Sequence, residues 1–238
     1  REPRFYAHIA ADRCYFQRGI NIDPENDLVR AYQGERFGTL YTSISSSQAQ
    51  NLTGYYMKKG SRSSQSNVDY KNTFSNEEAC VLIRLADLYL MKAEAWNEYL
   101  DVPDKKHVYD PLNAIRRRAG IPDVEKAWQN YSTNPGKVKN KEGMREIIHQ
   151  ERLIELAFEG QRFYDLRRWK KCHYALKKKL GQYVRASDFT AGTNVTIDGG
   201  GSEGYLEFHP KQNHLWPDYY YLNPIPRNER VLNPQLEQ

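Results

Sequence analysis

Residues 81–100 read VLIRLADLYLMKAEAWNEYL. In this stretch Leu82, Leu85, Ala86, Tyr89, Ala93, Trp96 and Leu100 recur at three- and four-residue spacing, the period of one face of an α-helix. Asp101 and Pro103 close the pattern, because proline lacks the backbone N–H that a helix interior needs. A second helix is predicted over 111–119, with Pro111 suited to its first turn and Leu112 and Ile115 facing inward. Ala119-Gly120-Ile121-Pro122 reads as its stop: Gly120 fits the left-handed C′ position, Ile121 supplies the apolar contact after it, and Pro122 prevents continuation. The two segments make a helical hairpin, and a mainly α fold is expected.

Working outward, a polar connection over 123–143 leads to a third helix at 144–159, whose apolar residues include Met144, Ile147, Ile148, Leu153, Ile154, Leu156 and Phe158. That helix is apolar around much of its circumference and so calls for cover on more than one side. After Gly160 a fourth helical run is expected from Arg162 to about Leu180. The apolar stripes predict one core holding Leu85, Tyr89, Ala93, Trp96, Ile115, Ile154 and Phe158. The flanks differ from this middle. Residues 1–80 carry helical periodicity only over 3–11 and read as long, loop-rich chain, the kind that is normally functional or flexible. Residues 181–238 are Gly- and Pro-punctuated, aromatic and extended, and should pack on the helices. Three regions follow: 1–80, a candidate ligand-binding region; 81–180, the helical core; and 181–238.

Composition excludes several classes. The longest apolar runs are far shorter than a bilayer span. The formal charge of +5 is spread along the chain, which is not the concentrated basic surface of a nucleic-acid binder. Cys14, Cys80 and Cys172 are odd in number and widely spaced, matching neither a disulfide framework nor a zinc site. Glu146 and His149 have the Glu-x-x-His spacing of di-iron bundles, but a second such pair is needed and is missing, so no metal is expected. No phosphate loop, dinucleotide fingerprint or Ser-centred nucleophile elbow occurs, and no cofactor or catalytic residue is assigned. The unusual component is tyrosine, with 18 copies, a ring with a polar tip suited to wet recognition surfaces.

Glu151, Glu155 and Glu159 fall four apart and so share one helical face. Glycoside hydrolysis needs two carboxyls facing each other across a sugar, usually from different elements. Three on one stripe, with Arg162, Asp165, Arg167 and Arg168 nearby in sequence, predict a structural ion-pair network instead.

Three blocks carry a family resemblance. The helix Arg84-Leu85-Ala86-Asp87-Leu88-Tyr89-Leu90-Met91-Lys92-Ala93-Glu94-Ala95, the segment 112–122 (LNAIRRRAGIP) and the segment 151–169 (ERLIELAFEGQRFYDLRRW) resemble, in order, motifs of the SusD/RagB proteins. Glu2-Pro3-Arg4-Phe5, the stretch 53–59 (TGYYMKK) and 221–226 (YLNPIP) are similar to further elements of the same family, so the likeness spans the chain. Glu2 and Gln161 depart from the family's usual Asp and His.

The resemblance implies tetratricopeptide-like helical hairpins with a loop-rich region, and a non-catalytic role at the bacterial outer membrane. Such proteins capture glycans, or sometimes peptides, and hand them to a SusC-like TonB-dependent transporter. Family members are longer, so the chain is expected to be the C-terminal part of a surface lipoprotein whose lipid anchor lies elsewhere. A sugar ring offers a C–H face that stacks on aromatic rings and a hydroxyl rim that needs planar polar partners. That chemistry, sought in the loops, selects Tyr15, Phe16, Tyr32, Arg36, Phe37 and Tyr41 as candidate ligand contacts. The rival readings are a helical-repeat scaffold that binds a peptide or protein in its concave groove, and a glycosidase using two of Glu151, Glu155 and Glu159.

Overall fold

Pro3 opens the first element of the structure, a computed structural model that describes residues 2–16, 28–30, 54–60, 81–172, 179–185, 195–197, 203–208, 221–222, 225–233 and 235. The chain divides into two compact units, Arg1–Gly160 and Gln161–Gln238.

In the first unit, helix α1 (Pro3–His8) runs directly into strand β1 (Ile9–Ala10). Strand β1 pairs antiparallel with β2 (Tyr56–Met57), matching Ile9 with Met57 and Ala10 with Tyr56. The helical core follows: α2 (Leu85–Tyr99), a π-helical turn (Lys105–Tyr109), α3 (Asp110–Arg118), α4 (Val124–Tyr131), a 3-10 turn (Pro135–Lys139) and α5 (Lys141–Glu155). Leu90, Leu112, Ile115, Met144 and Ile148 are its largest fully buried apolar side chains. Gly120 takes φ +71°, and the N–H groups of Gly120 and Ile121 donate to the carbonyls of Arg117 and Arg116, the paired bonds of a Schellman stop. At the start of α5, Asn140 accepts from the N–H of Gly143 at 2.6 Å. A Cβ on Gly143 would lie 2.2 Å from the carbonyl oxygen of Lys137, so only glycine lets the 3-10 turn approach this closely.

The second unit holds α6 (Gln161–Arg168), an antiparallel sheet of β3 (Lys179–Arg185), β4 (Val195–Ile197) and β5 (Glu203–Phe208) in the order β3-β5-β4, and α7 (Arg227–Leu232).

The mainly helical class agrees with the sequence, while several details do not. The connection 123–143 carries helix α4 and a 3-10 turn; Val124, Trp128 and Val138 anchor it, too few and too widely spaced to show a period. The fourth helix stops at Arg168 and not near Leu180, and Lys170 takes φ +53°, outside the helical range. Beyond it, Leu180, Tyr183 and Val184 belong to a strand, where aromatic and β-branched residues fit better than in a helix.

The predicted core is partly out of phase. Ala93 and Ile115 are buried, but Leu85 is 62% exposed, Tyr89 36% and Phe158 53%. The buried stripe of α2 is Ala86, Leu90, Ala93 and Asn97, because two alanines let the helix lie close to α3 and α5 while larger neighbours fall outside. Trp96 only borders the core, and Ile154 is half-buried. Phe158 lies beyond the end of α5 at φ +66°, so the helical period no longer sets its direction.

Candidate functional site

The C-terminal turns of α5 carry a knot of charges. Arg4, buried on α1, reaches Glu151 at 2.5 Å and Glu155 at 3.1 Å, and holds Glu2 with bonds of 2.6 and 2.9 Å. Glu151 also takes Arg116 at 2.8 Å. Glu155, 1% exposed, accepts from Arg84 at 2.8 Å and from Arg118. Glu159 pairs with Arg84 at 3.0 Å and with Lys59, whose ammonium also donates to the carbonyls of Glu155 at 2.8 Å and Ala157 at 3.0 Å. Lys59 thereby closes the end of α5 from the segment after β2. Deeper along the helix, Arg152 meets Asp87 of α2 at 2.8 Å.

Burial alone would raise the pKa of the Glu155 carboxyl, but hydrogen bonds from Arg84 and Arg4 and the charge of Arg118 hold it below the ordinary glutamate value. Arg4 likewise loses solvation on burial, yet Glu2 and Glu151 more than offset that, and its pKa is raised. Held in this way, the Glu155 carboxyl favours its ionised form, which suits ion pairing better than general acid catalysis. In the second unit, buried Asp165 pairs with Arg168 at 2.8 Å, Arg167 donates to the carbonyl of Tyr221 at 2.7 Å, and Arg162 lies half-buried on α6.

Beside the knot lies an aromatic cluster of Phe5 and Tyr6 on α1 and Tyr55 just before β2. The half-buried ring of Phe5 meets Tyr6 edge-to-face at 5.3 Å and Tyr55 at 6.3 Å. On its other side Phe5 lines an open cavity of about 470 Å³ walled by Ile9, Leu153, Ile154 and Ala157, with Glu2, Arg4 and His8 also on its lining. Leu153 and Ile154 are the second apolar face of α5 that the sequence led us to expect.

Of the six candidate ligand contacts, Tyr32, Arg36, Phe37 and Tyr41 lie outside the described residues. Tyr15 is 40% exposed and bridges to Leu28, with its carbonyl accepting from Lys58 at 2.8 Å. Phe16 packs on Ala10 and Val29 and meets Tyr56 edge-to-face at 6.4 Å. The sequence reading assigned no role to Arg4, Lys59, Arg84, Tyr6 or Tyr55. The only signal for them was that four sit in the short family-like stretches 2–5, 53–59 and 84–95.

Helical hairpins joined by a buried ionic knot define a helical scaffold, and comparison with known proteins gives the family. The SusD family profile matches residues 1–238, and the chain belongs to that family. SusD-like protein P25 of Formosa agariphila is 39% identical over 169 residues, 71% of this chain and 25% of that protein. Among solved structures, a SusD-like protein from Bacteroides fragilis superposes with a TM-score of 0.62 at 29% identity, covering 100% of this chain and 38% of its own. The protein BT4246 gives the same TM-score at 25% identity, covering 99% and 35%. The chain thus spans between a quarter and two fifths of the length of these relatives. Proteins of the SusD family are outer-membrane nutrient- and glycan-binding proteins. No helix among the described residues is long and apolar enough to cross a membrane.

Proposed function

We propose that this chain serves in non-catalytic capture of an oligosaccharide at the outer surface of a bacterial outer membrane, for delivery to a SusC-like TonB-dependent transporter. The protein carrying it would be a lipoprotein, held at the surface by an anchor outside these residues. Membership of the SusD family across residues 1–238 is the observation that carries this reading. Two features support it. The three carboxylates that a glycosidase reading would have to use are each bound by cations, which leaves them poorly placed as acid and nucleophile. The aromatic residues Phe5 and Tyr6 on α1 and Tyr55 just before β2 are rings of the kind that sugar C–H groups stack on.

Delivery requires release, so the expected affinity is modest, about millimolar or roughly 4 kcal/mol, within reach of two or three stacked rings. A carbohydrate array probed with the intact lipoprotein is the first test, followed by calorimetry with Tyr15, Tyr32 and Tyr41 changed singly to alanine. Binding without turnover, weakened by at least one of these changes, is expected. Hydrolysis of a bound glycan, lost in Glu151→Gln, would replace capture by catalysis.

A further inference from the structure

Helix α2 carries two apolar faces. The buried one, Ala86, Leu90 and Ala93 with Asn97, is turned to α3 and α5. The other runs Leu85, Leu88, Tyr89, Lys92, Ala95, Trp96 and Tyr99, in steps of three, one and three residues that keep to one side of the helix for its whole length. Lys92 is the one polar residue in that row. This is the spacing by which a helix presents itself to a core, yet Leu85 is 62% exposed, Leu88 46% and Tyr89 36%. Leu82 and Ile83, just ahead of the helix, are exposed as well. Trp96 is covered in part, by the ring of His107 stacked on it at 4.2 Å. The chain covers less than two fifths of its relatives' length, so most of each relative is polypeptide without a counterpart in residues 1–238.

We infer that the outward stripe of α2 is a docking face for a second amphipathic helix, supplied by the same polypeptide from outside residues 1–238. The composition of the stripe selects that occupant. A row with a single charge has the make-up of a core, whereas surfaces that associate and part again are about as polar as the rest of a protein. Left to a transient partner, a contiguous apolar stripe would stand in water between encounters and invite aggregation. A segment of the same chain is held at high effective concentration and covers the stripe continuously. Ala95 lets a second helix approach closely, and Leu85, Leu88 and Tyr89 form the ridge that fits its groove. Lys92 adds a requirement of its own. An ammonium enclosed between two helices needs a carboxylate partner, so the docking helix carries an Asp or Glu at that level. With it in place α2 is shared by two layers, as a helix inside a stacked array is, and both of its stripes are core.

Hydroxyl-radical footprinting of the full-length protein, purified without any transporter, tests the face. At 36% exposure Tyr89 should be oxidised only about three times more slowly in the native protein than in urea. Beneath a docked helix the slowing should be about tenfold or more, as for a side chain enclosed on all sides. Carbodiimide, which joins an amine to a carboxylate only where the two touch, should link Lys92 to an Asp or Glu outside residues 1–238 within one molecule. Leu88→Asp sets a charge into the joint; it should lower the melting temperature of the full-length protein and return Tyr89 to the weaker slowing. If that variant does not fold, the footprint and the crosslink of the parent decide. Slowing of Tyr89 by about threefold or less in the parent overturns the docking face. A Lys92 link confined to a dimer-sized band overturns the same-chain occupant in favour of a second copy. Protection of Tyr89 that appears only when the transporter is added overturns it in favour of that partner.

Discussion

Glu155 and Glu98 are the same residue on two fifteen-residue helices, each gripped by arginine, in opposite surroundings. Glu155 sits under the α1 segment, nearly without solvent, among Arg4, Arg84 and Arg118. Glu98 lies at the far end of α2, its side chain 41% exposed, held by Arg145 through two bonds of 2.7 and 2.6 Å. Geometry alone ranks the Glu98 pair higher, since it is a forked, two-bond contact. Surroundings reverse the ranking. Water screens the exposed pair and can replace either partner, whereas the buried Arg4 guanidinium is hardly reached by water that could stand in for a lost carboxylate.

The widest break in this comparison is Glu155→Gln, which keeps the shape and removes the charge. It should cost about 3–5 kcal/mol, because Arg4 is left buried with one fewer anion. For a domain of this size that is a fall in melting temperature on the order of 10 °C. Urea denaturation of the variant checks it, and a loss under about 1 kcal/mol would place the knot in the same class as a surface pair.

The apolar parts of α2 allow a second contrast. Leu90 is fully buried and Leu85 largely exposed, five residues earlier on the same helix. Leu90→Ala should cost about 2–5 kcal/mol through lost burial and the cavity left behind, while Leu85→Ala should stay within roughly 0.5 kcal/mol. A large loss at Leu85 in the intact lipoprotein would mean that this face is covered there.

Acid provides the third contrast. The pKa of Glu155 is lowered in the folded protein, so its contribution is fully present above the ordinary glutamate pKa of about 4.3 and fades as pH falls through the folded value. Denaturation midpoints measured from pH 7 down to pH 3 should therefore drop faster for the parent than for Glu155→Gln. Parallel curves would show that the knot adds nothing that depends on that charge.

The hairpin of α2 and α3 was legible because its signals are local: a 3.6-residue period, a proline at one end and a glycine stop at the other. The knot was legible by half. Its carboxylates announce themselves at four-residue spacing, but their partners Arg4, Lys59 and Arg84 lie between 71 and 151 positions away, as Arg84–Glu155 and Arg4–Glu155 illustrate, and no periodicity encodes such a meeting. The error of phase in α2 has a related cause. The three- and four-residue spacing admits neighbouring faces of the helix, so the reading took Leu85 and Tyr89 together with Ala86 and Ala93 and passed over Leu90, which packing buries. The meeting of Phe5 with Tyr55 was not legible either, because it follows from the pairing of Ala10 with Tyr56, and nothing near either segment points to the other.

The smallest effect expected is at the exposed pair, and it is the one that calibrates the rest. A double-mutant cycle on Glu98→Ala and Arg145→Ala should return a coupling of about 0.2–1 kcal/mol at low salt. The arginine lowers the Glu98 pKa chiefly by hydrogen bonding, against a smaller opposing effect of burial. Most of that advantage depends on charges that solvent reaches. In 1 M salt the screening length falls to about 3 Å, and the coupling should shrink accordingly. Neither single change disturbs the bond from Lys141 to the Glu98 carbonyl at 2.6 Å, which uses backbone and not side chain, so the contact between α2 and the start of α5 survives in every corner of the cycle. A coupling above about 2 kcal/mol, or one indifferent to salt, would mean that a forked surface pair here rivals a buried one, and the contrast with Glu155 would then rest on the number of partners and not on burial.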